Sequence, residues 1–257
     1  MELKTVKTFL ISLGISMIIG YLFVPKIFID AEQSEADLRF ERSAEFIETD
    51  YEGIKIKKIE RKEPTYNIDI EIPSFTNEKL NIVIKEHVKH IKEEFFISIK
   101  GQVTEERQGY LTVRTDIYLS GSDLYSIVLS EEFYTGGANA NQKAKVWLVD
   151  LKEEKFVPQD IIFNDLEEAK DQVRSLVKEE LINSSQYEGY ILEEELERWV
   201  TKDDYRFENM YITDGYLVFK FNKYEVAAGA TGMPEVKVPI SEVKDLIKPE
   251  WYERISE

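Results

Sequence analysis

Alternation of apolar and polar positions marks the first clear element. Tyr66-Asn67-Ile68-Asp69-Ile70-Glu71-Ile72 repeats with a period of two, which predicts a half-buried strand ending at Pro73. A weaker strand precedes it over residues 55–60. The pattern then changes. Leu80, Ile84, Val88, Ile91 and Phe95 recur at helical spacing behind Asn77, a residue type that caps helices. Alternation returns at Leu111, Val113, Thr115, Ile117 and Leu119, and the turn Ser120-Gly121-Ser122-Asp123 leads into residues 124–134, predicting a hairpin. Residues 146–151 read as a further strand. Asn164 with Glu167 has the form of a capping box before Leu166, Ala169, Val173, Val177 and Leu181. A second helical pattern holds Leu192, Leu196, Trp199 and Val200. Asp214-Gly215 between residues 210–213 and 216–221 is a strong hairpin signal. Val236, Val238 and Ile240 predict a last strand, and Ser241 is placed to cap a short final helix. Strands and helices come in uneven groups without strict βαβ alternation, so the expected fold class is α+β, with a largely antiparallel sheet and packed helices. No internal repeat or low-complexity tract is present.

The N-terminus follows another pattern. Residues 8–25 are 18 consecutive positions without a charge, and Ile27, Phe28 and Ile29 extend the apolar stretch past Lys26. A bilayer core needs roughly 20 apolar residues. Lys4 and Lys7 precede the stretch, and Asp30, Glu32, Glu35 and Asp37 follow it. The positive-inside bias then leaves the N-terminus in the cytoplasm and the remainder outside. The expectation is a short cytoplasmic tail (1–7), a transmembrane signal anchor (8–29) and a Glu- and Ser-rich stalk (30–50). The competing readings are a cleaved signal peptide, for which Phe28-Ile29-Asp30 is too bulky a cleavage site, and a buried globular helix.

Composition narrows the chemistry. The 257 residues are 43% hydrophobic and 12% aromatic, enough for a packed core. Lys plus Arg is 33 against 50 Asp plus Glu, a net charge of −17. Residues 1–29 carry Glu2 against Lys4, Lys7 and Lys26, a net of +2, which leaves −19 on the remainder. A sequence pI near 4.7 argues against a nucleic-acid partner, because phosphate binding needs a basic face. With no cysteine there are no disulfides, thiolate zinc sites, iron–sulfur clusters or Cys nucleophiles.

Two glycine-containing segments carry a family resemblance. Phe133-Tyr134-Thr135-Gly136-Gly137-Ala138-Asn139-Ala140-Asn141 is similar to a Tyr-Thr-Gly-Gly-Ala-His signature of bacterial extracytoplasmic domains. Residues 146–151 and Phe156-Val157-Pro158-Gln159-Asp160-Ile161-Ile162-Phe163 follow in the same order. Leu217-Val218-Phe219-Lys220-Phe221-Asn222-Lys223-Tyr224-Glu225-Val226, then Gly229, Gly232 and Val236-Lys237-Val238-Pro239-Ile240, resemble the C-terminal signature. The resemblance is to the RsiV-like domains of lysozyme-sensing anti-sigma-V factors. Residues 51–134 resemble the accessory domain at the front of PdaC-type peptidoglycan deacetylases. Together these cover about four fifths of the chain. They imply a PdaC-accessory-like part (51–140) and an RsiV C-terminal-like part (141–251), or one compact unit over 51–251. Asn139 stands in place of the signature His, and the loop Ala227-Ala228-Gly229-Ala230 is smaller than in family members. About seven residues precede the apolar stretch, too few to hold a sigma factor, and a deacetylase catalytic domain is not expected.

Each chemical candidate has a plainer competitor. His87 and His90 have the i, i+3 spacing of a metal pair, but His87 shares a face with Leu80, Ile84 and Ile91 and reads better as a core or boundary histidine. Glu193-Glu194-Glu195 and Asp203-Asp204 lack the alternating spacing of a calcium loop. Thr135-Gly136-Gly137 lacks the Lys and strand-to-helix context of a phosphate cradle. Asp69 and Glu71 have the form of paired carboxylates, yet outward strand positions are polar anyway. No G-x-S-x-G occurs. The expectation is a protein that binds and does not catalyse, without cofactor or metal, recognising a muramidase or a cell-wall polymer. The expected contact residues are Tyr134, Thr135, Gly136, Gly137, Asn139, Tyr224, Gly229 and Gly232. The alternatives are a peptidoglycan hydrolase or deacetylase accessory and an envelope structural protein. For topology, protease added to intact protoplasts is expected to remove the chain from about residue 30 onward. Full protection would contradict the anchored, outward-facing arrangement.

Overall fold

The computed structural model describes residues 45–256. Ser43–Glu257 forms one compact unit. The expected tail and anchor (1–29) and the first part of the stalk lie outside the described residues. Among the described residues no helix is long and apolar enough to cross a membrane. The stalk expectation is corrected at its end, where Glu45–Glu48 pairs as the edge strand β1.

A seven-stranded sheet runs in chain order, β1 (Glu45–Glu48), β2 (Ile54–Lys62), β3 (Tyr66–Phe75), β4 (Gly109–Gly121), β5 (Leu124–Tyr134), β6 (Asn141–Asp150) and β7 (Lys155–Val157). Every pairing is antiparallel except β3 with β4. Parallel neighbours need a crossover, which is helix α1 (Glu78–Ile99). Its start is fixed by Asn77, whose Oδ1 accepts from the Lys79 N–H at 2.8 Å. Leu80, Ile84, Val88, Ile91 and Phe95 are all buried, facing Ile68, Ile70, Ile72, Leu111 and Val113. Asn81 is buried on the same side, and its amide both accepts from Phe75 N and donates to Phe75 O at 2.8 Å.

A second, three-stranded antiparallel sheet has the order β10-β9-β8, from β8 (Met210–Thr213), β9 (Tyr216–Lys220) and β10 (Glu235–Pro239). Asp214 (φ 49°) and Gly215 (φ 79°) give the β8–β9 turn the left-handed residues that match strand twist. Alternation divides its side chains. Met210, Ile212, Leu217 and Phe219 join a core with α2 (Leu166–Asn183) and α3 (Glu193–Val200), to which Val173, Val177, Leu181 and Trp199 contribute. Tyr211 and Val218 face the other way and meet Val128 and Val146 of the large sheet. Helix α4 (Pro249–Ile255) closes the chain, and Arg254 reaches Asp150 at 2.8 Å.

The two sheets are joined by buried hydroxyls. Ser120 Oγ donates to Ile212 O at 2.7 Å, and the Ile212 N–H donates to Ser126 Oγ at 2.9 Å. The serine oxygens are 2.8 Å apart. With the Ser120 proton committed to Ile212, Ser126 donates to Ser120. Beside them Tyr118 and Tyr211 stack with ring centres 4.8 Å apart.

Several expected boundaries move. β3 does not stop at Pro73 but runs on to Phe75. Its ladder to β4 ends at Ile70, so Pro73, opposite Ile56, lies where one side of the strand has no ladder to break. The cap of α2 is Asp165, whose Oδ1 accepts from Glu168 N at 2.9 Å. Asn164, the expected cap, instead donates to the carbonyls of Asp245 and Ile247. The strand over 146–151 begins earlier, at Asn141, because β5 offers it a long partner. Ser241 lies inside a 3-10 turn, Ile240–Leu246, and the last helix starts at Pro249 after Lys248.

Candidate functional site

The expected contact residues fall at the end of β5, where Tyr134 lies, and on two loops, 135–140 between β5 and β6 and 221–234 between β9 and β10. The first is shaped by Gly136, at φ 92°. A Cβ there would lie 2.5 Å from Gln102 O, so the loop presses against the 100–108 segment, where Arg107 Nη2 donates to the same carbonyl at 3.0 Å. Gly136 is therefore buried and positions its neighbours. Gly137 and Asn139 are exposed, Thr135 and Tyr134 half-buried. Nothing lies within 4 Å of a Cβ built at Gly137, and no contact in the structure explains that glycine.

The second loop is shaped around Tyr224. This residue takes φ 70° and is 50% exposed, so it is not a core tyrosine. Its ring lies over Gly229, where a Cβ would be 2.3 Å from ring carbons. Gly229 thus gives the ring its seat, and Gly232 (φ 69°) turns the chain toward β10.

Strand pairing brings the loops together. Lys223 N donates to Gln142 O at 3.1 Å, and Lys223 Nζ donates to Ala140 O at 2.8 Å. Asn222 Oδ1 accepts from Ala144 N at 2.8 Å. Behind the junction is a hydrogen-bonded carboxylate. Glu132 accepts from Tyr110 Oη at 2.6 Å and from Gln142 Nε2 at 2.7 Å. The Tyr110 ring stacks on Tyr134 with centres 5.8 Å apart. The bond from Tyr110, then that from Gln142 and the nearby Lys223 charge, hold the Glu132 carboxyl below its ordinary range against its partial burial. Burial, reinforced by the bond to Glu132, pushes the Tyr110 phenol up to about 12.

Tyr110, Glu132, Gln142 and Lys223 were not among the residues expected from sequence. They are adjacent only because the register sets Tyr110 opposite Tyr134, and Glu132 opposite both Thr112 and Gln142. Residue-type patterns along one strand carry no such signal.

The other chemical candidates are engaged elsewhere. His87 Nε2 is 2.6 Å from Oε1 of the buried Glu131, and its ring meets the Trp147 ring edge-on at 5.2 Å. This is a boundary position under α1, facing away from the loops. Asp69 and Glu71 flank one guanidinium: Arg114 pairs with Asp69 Oδ2, and its Nε is 3.8 Å from Glu71. Asp203 contributes its carbonyl to the buried Lys170 at 2.7 Å. Among the described residues, no three His, Asp or Glu side chains converge as a metal set.

Residues 159–241 match the family model described as Protein of unknown function (DUF3298). The match includes the 221–234 loop and leaves the 135–140 loop outside. The chain is also 22% identical over 209 residues to peptidoglycan-N-acetylmuramic acid deacetylase PdaC of Bacillus subtilis (strain 168). That alignment takes in 80% of this chain and 44% of PdaC, so the chain spans less than half the length of this curated relative. Among solved structures, a DUF3298 family member from Bacteroides fragilis superposes with a TM-score of 0.57 at 16% identity, covering 84% of this chain and 98% of that one. A DUF3298 family protein from Pseudomonas aeruginosa PAO1 gives 0.50 at 16% identity, over 77% and 95%. At this identity the likeness is one of fold.

The Glu132 network has a pH signature. Its depressed carboxyl contributes stability above the ordinary carboxylate range, lost as pH falls through and below that range. The raised Tyr110 phenol contributes stability that is full below pH 10 and is lost as pH rises toward about 12. Urea midpoints across pH should therefore fall at both ends. Glu132→Gln should flatten the acid limb and cost about 1–3 kcal/mol at neutral pH. An unchanged acid limb in that variant would contradict this assignment.

Proposed function

We propose that this chain is a membrane-anchored, non-catalytic binding module of the cell envelope that docks through the paired 135–140 and 221–234 loops. The observation that carries this reading is the half-exposed Tyr224 ring seated on Gly229, on one of two loops tied through Lys223, Gln142 and Ala140. Exposed aromatic rings on a preorganised edge have the character of interface anchors. The resemblance to lysozyme-sensing domains suggests a basic muramidase as partner. The net charge of −17 suits such a partner by steering its approach. Asn139 and the small 227–230 segment make the contact poorer than in RsiV-like relatives, and sigma-factor binding is not part of the proposal. A second reading, a cell-wall polymer as ligand, is favoured by the similarity to PdaC, whose name places its own activity on peptidoglycan.

Surface-captured full-length protein titrated with hen egg-white lysozyme tests the proposal. The association rate should drop steeply as ionic strength passes about 0.1 M, where the Debye length is about 10 Å, while dissociation changes little. Tyr224→Ala should speed dissociation with an unchanged melting temperature, because the ring is half-exposed. If the folded protein shows no binding up to high micromolar lysozyme, the muramidase reading is wrong and the wall polymer takes its place.

A further inference from the structure

Beyond the small sheet, the face of the large sheet turned away from α1 is polar. Strand register places Glu60, Asp69, Thr112, Glu132 and Gln142 side by side in one cross-strand row spanning five strands. Neighbouring strands lie about 4.8 Å apart, so the row repeats hydrogen-bonding groups at that spacing over roughly 19 Å. On either side of it Tyr110 faces Tyr134, and Arg114 faces Ser130. The small sheet stands on the Tyr118–Ser120 end of this face, at the hydroxyl junction, and not on the Tyr110–Arg114 end.

Two properties separate this face from an ordinary solvated surface. The first is charge. Over β2 to β6, Lys58, Lys62 and Arg114 stand against Glu60, Asp69, Glu71, Asp116 and Glu132, a net of −2 in a chain of −17. The second is that most of these charged groups are already engaged: Lys58 with Glu60 at 2.7 Å, Arg114 with Asp69 Oδ2, and Glu132 with the neutral donors Tyr110 and Gln142, while Asp69 Oδ1 is buried without a partner. An ionic partner would have to break these pairs. Hydroxyl groups, which donate and accept, add to them without displacement. Paired side chains are also held in place, so ordering them on binding costs little entropy. The stacked Tyr110–Tyr134 pair offers the apolar body of a half-buried ring at one side of the row.

We infer that this face binds a neutral, hydroxyl-rich glycan chain laid across strands β2 to β6 along the Glu60–Gln142 row. A polyanionic wall polymer does not fit, since the acidic chain repels it. The inference goes beyond loop-mediated docking. It shares Tyr134, Glu132 and Gln142 with the loop junction but runs from there across β4, β3 and β2, and Thr112 and Glu60 belong to the row alone, so variants at those two positions separate it from loop docking.

Calorimetric titration of the full-length protein in neutral detergent, with hexamers of β-1,4-linked N-acetylglucosamine and of β-1,4-linked glucose as probes, tests it. At least one hexamer should bind with a Kd between about 10 µM and 1 mM. The Kd should change less than about twofold between low and high salt, as expected for a neutral ligand. Thr112→Val, which keeps the branched shape and removes the central hydroxyl, should weaken binding about fivefold or more with the melting temperature preserved. Glu60→Gln, at the exposed end of the row, should weaken it about twofold or more. His90→Ala, at an exposed position of α1 on the opposite side of the sheet, should leave glycan binding unchanged. Absence of binding by both hexamers up to about 10 mM, unchanged affinity in both row variants, or an equal loss of affinity with His90→Ala would each overturn the assignment.

Discussion

The buried serine junction between the sheets is the contact on which the rest depends. Ser126 is fully buried and Ser120 nearly so, yet both hydroxyls and both backbone groups of Ile212 are satisfied there. A buried polar group without a partner costs about 1–3 kcal/mol, so a small sheet shifted by one residue would strand several such groups at once. The apolar contacts of Val128 and Val146 with Tyr211 and Val218 supply affinity but little register. The hydroxyls supply the register. Because the 135–140 loop belongs to the large sheet and the 221–234 loop to the small one, their junction at Lys223, Gln142 and Asn222 exists only in that register.

Charge is distributed unevenly over this frame. Residues 135–141 carry none, and the 227–233 segment carries none, in a chain of −17. Long-range field and local surface are therefore separated: the bulk of the domain sets the field, and the loop tips present neutral amides and the Tyr224 ring. The polar sheet face is likewise milder than the chain as a whole, because Lys58 and Arg114 pair with Glu60 and Asp69 in place. Glu225 fits the pattern. Its carboxyl is held up mainly by burial, and it accepts from Asn222 N at 2.7 Å, fixing the loop from within.

Local physics made much of the fold legible in the sequence. The Asn77 cap, the apolar stripe of α1, the β4–β5 hairpin and the Asp214-Gly215 turn each depend on residues within a few positions of one another. Errors fell where a second strand or segment decided the outcome. Pro73 remains in its strand because β4 has already parted from it. Asn164 loses the cap to Asp165 because its amide is claimed by carbonyls some eighty residues away. The loop tyrosines and glycines were visible as types at suggestive positions. Their supports, Tyr110, Glu132, Gln142 and Lys223, were invisible, since cross-strand register is a property of the assembled sheet. The buried partnership of His87 with Glu131 was likewise hidden until β5 was placed beneath α1.

Hydrogen exchange in a Ser126→Ala variant tests most directly whether the serine junction holds the loops together. Amides of Ile212, Lys223 and Ala144 report the junction and the two loop ties. The account predicts that all three lose protection together, by about tenfold or more, while amides of β3 beneath α1 keep theirs. If Ile212 alone becomes labile and Lys223 and Ala144 stay as protected as in the parent protein, the loops are held by their own contacts, and the dependence on the junction is wrong.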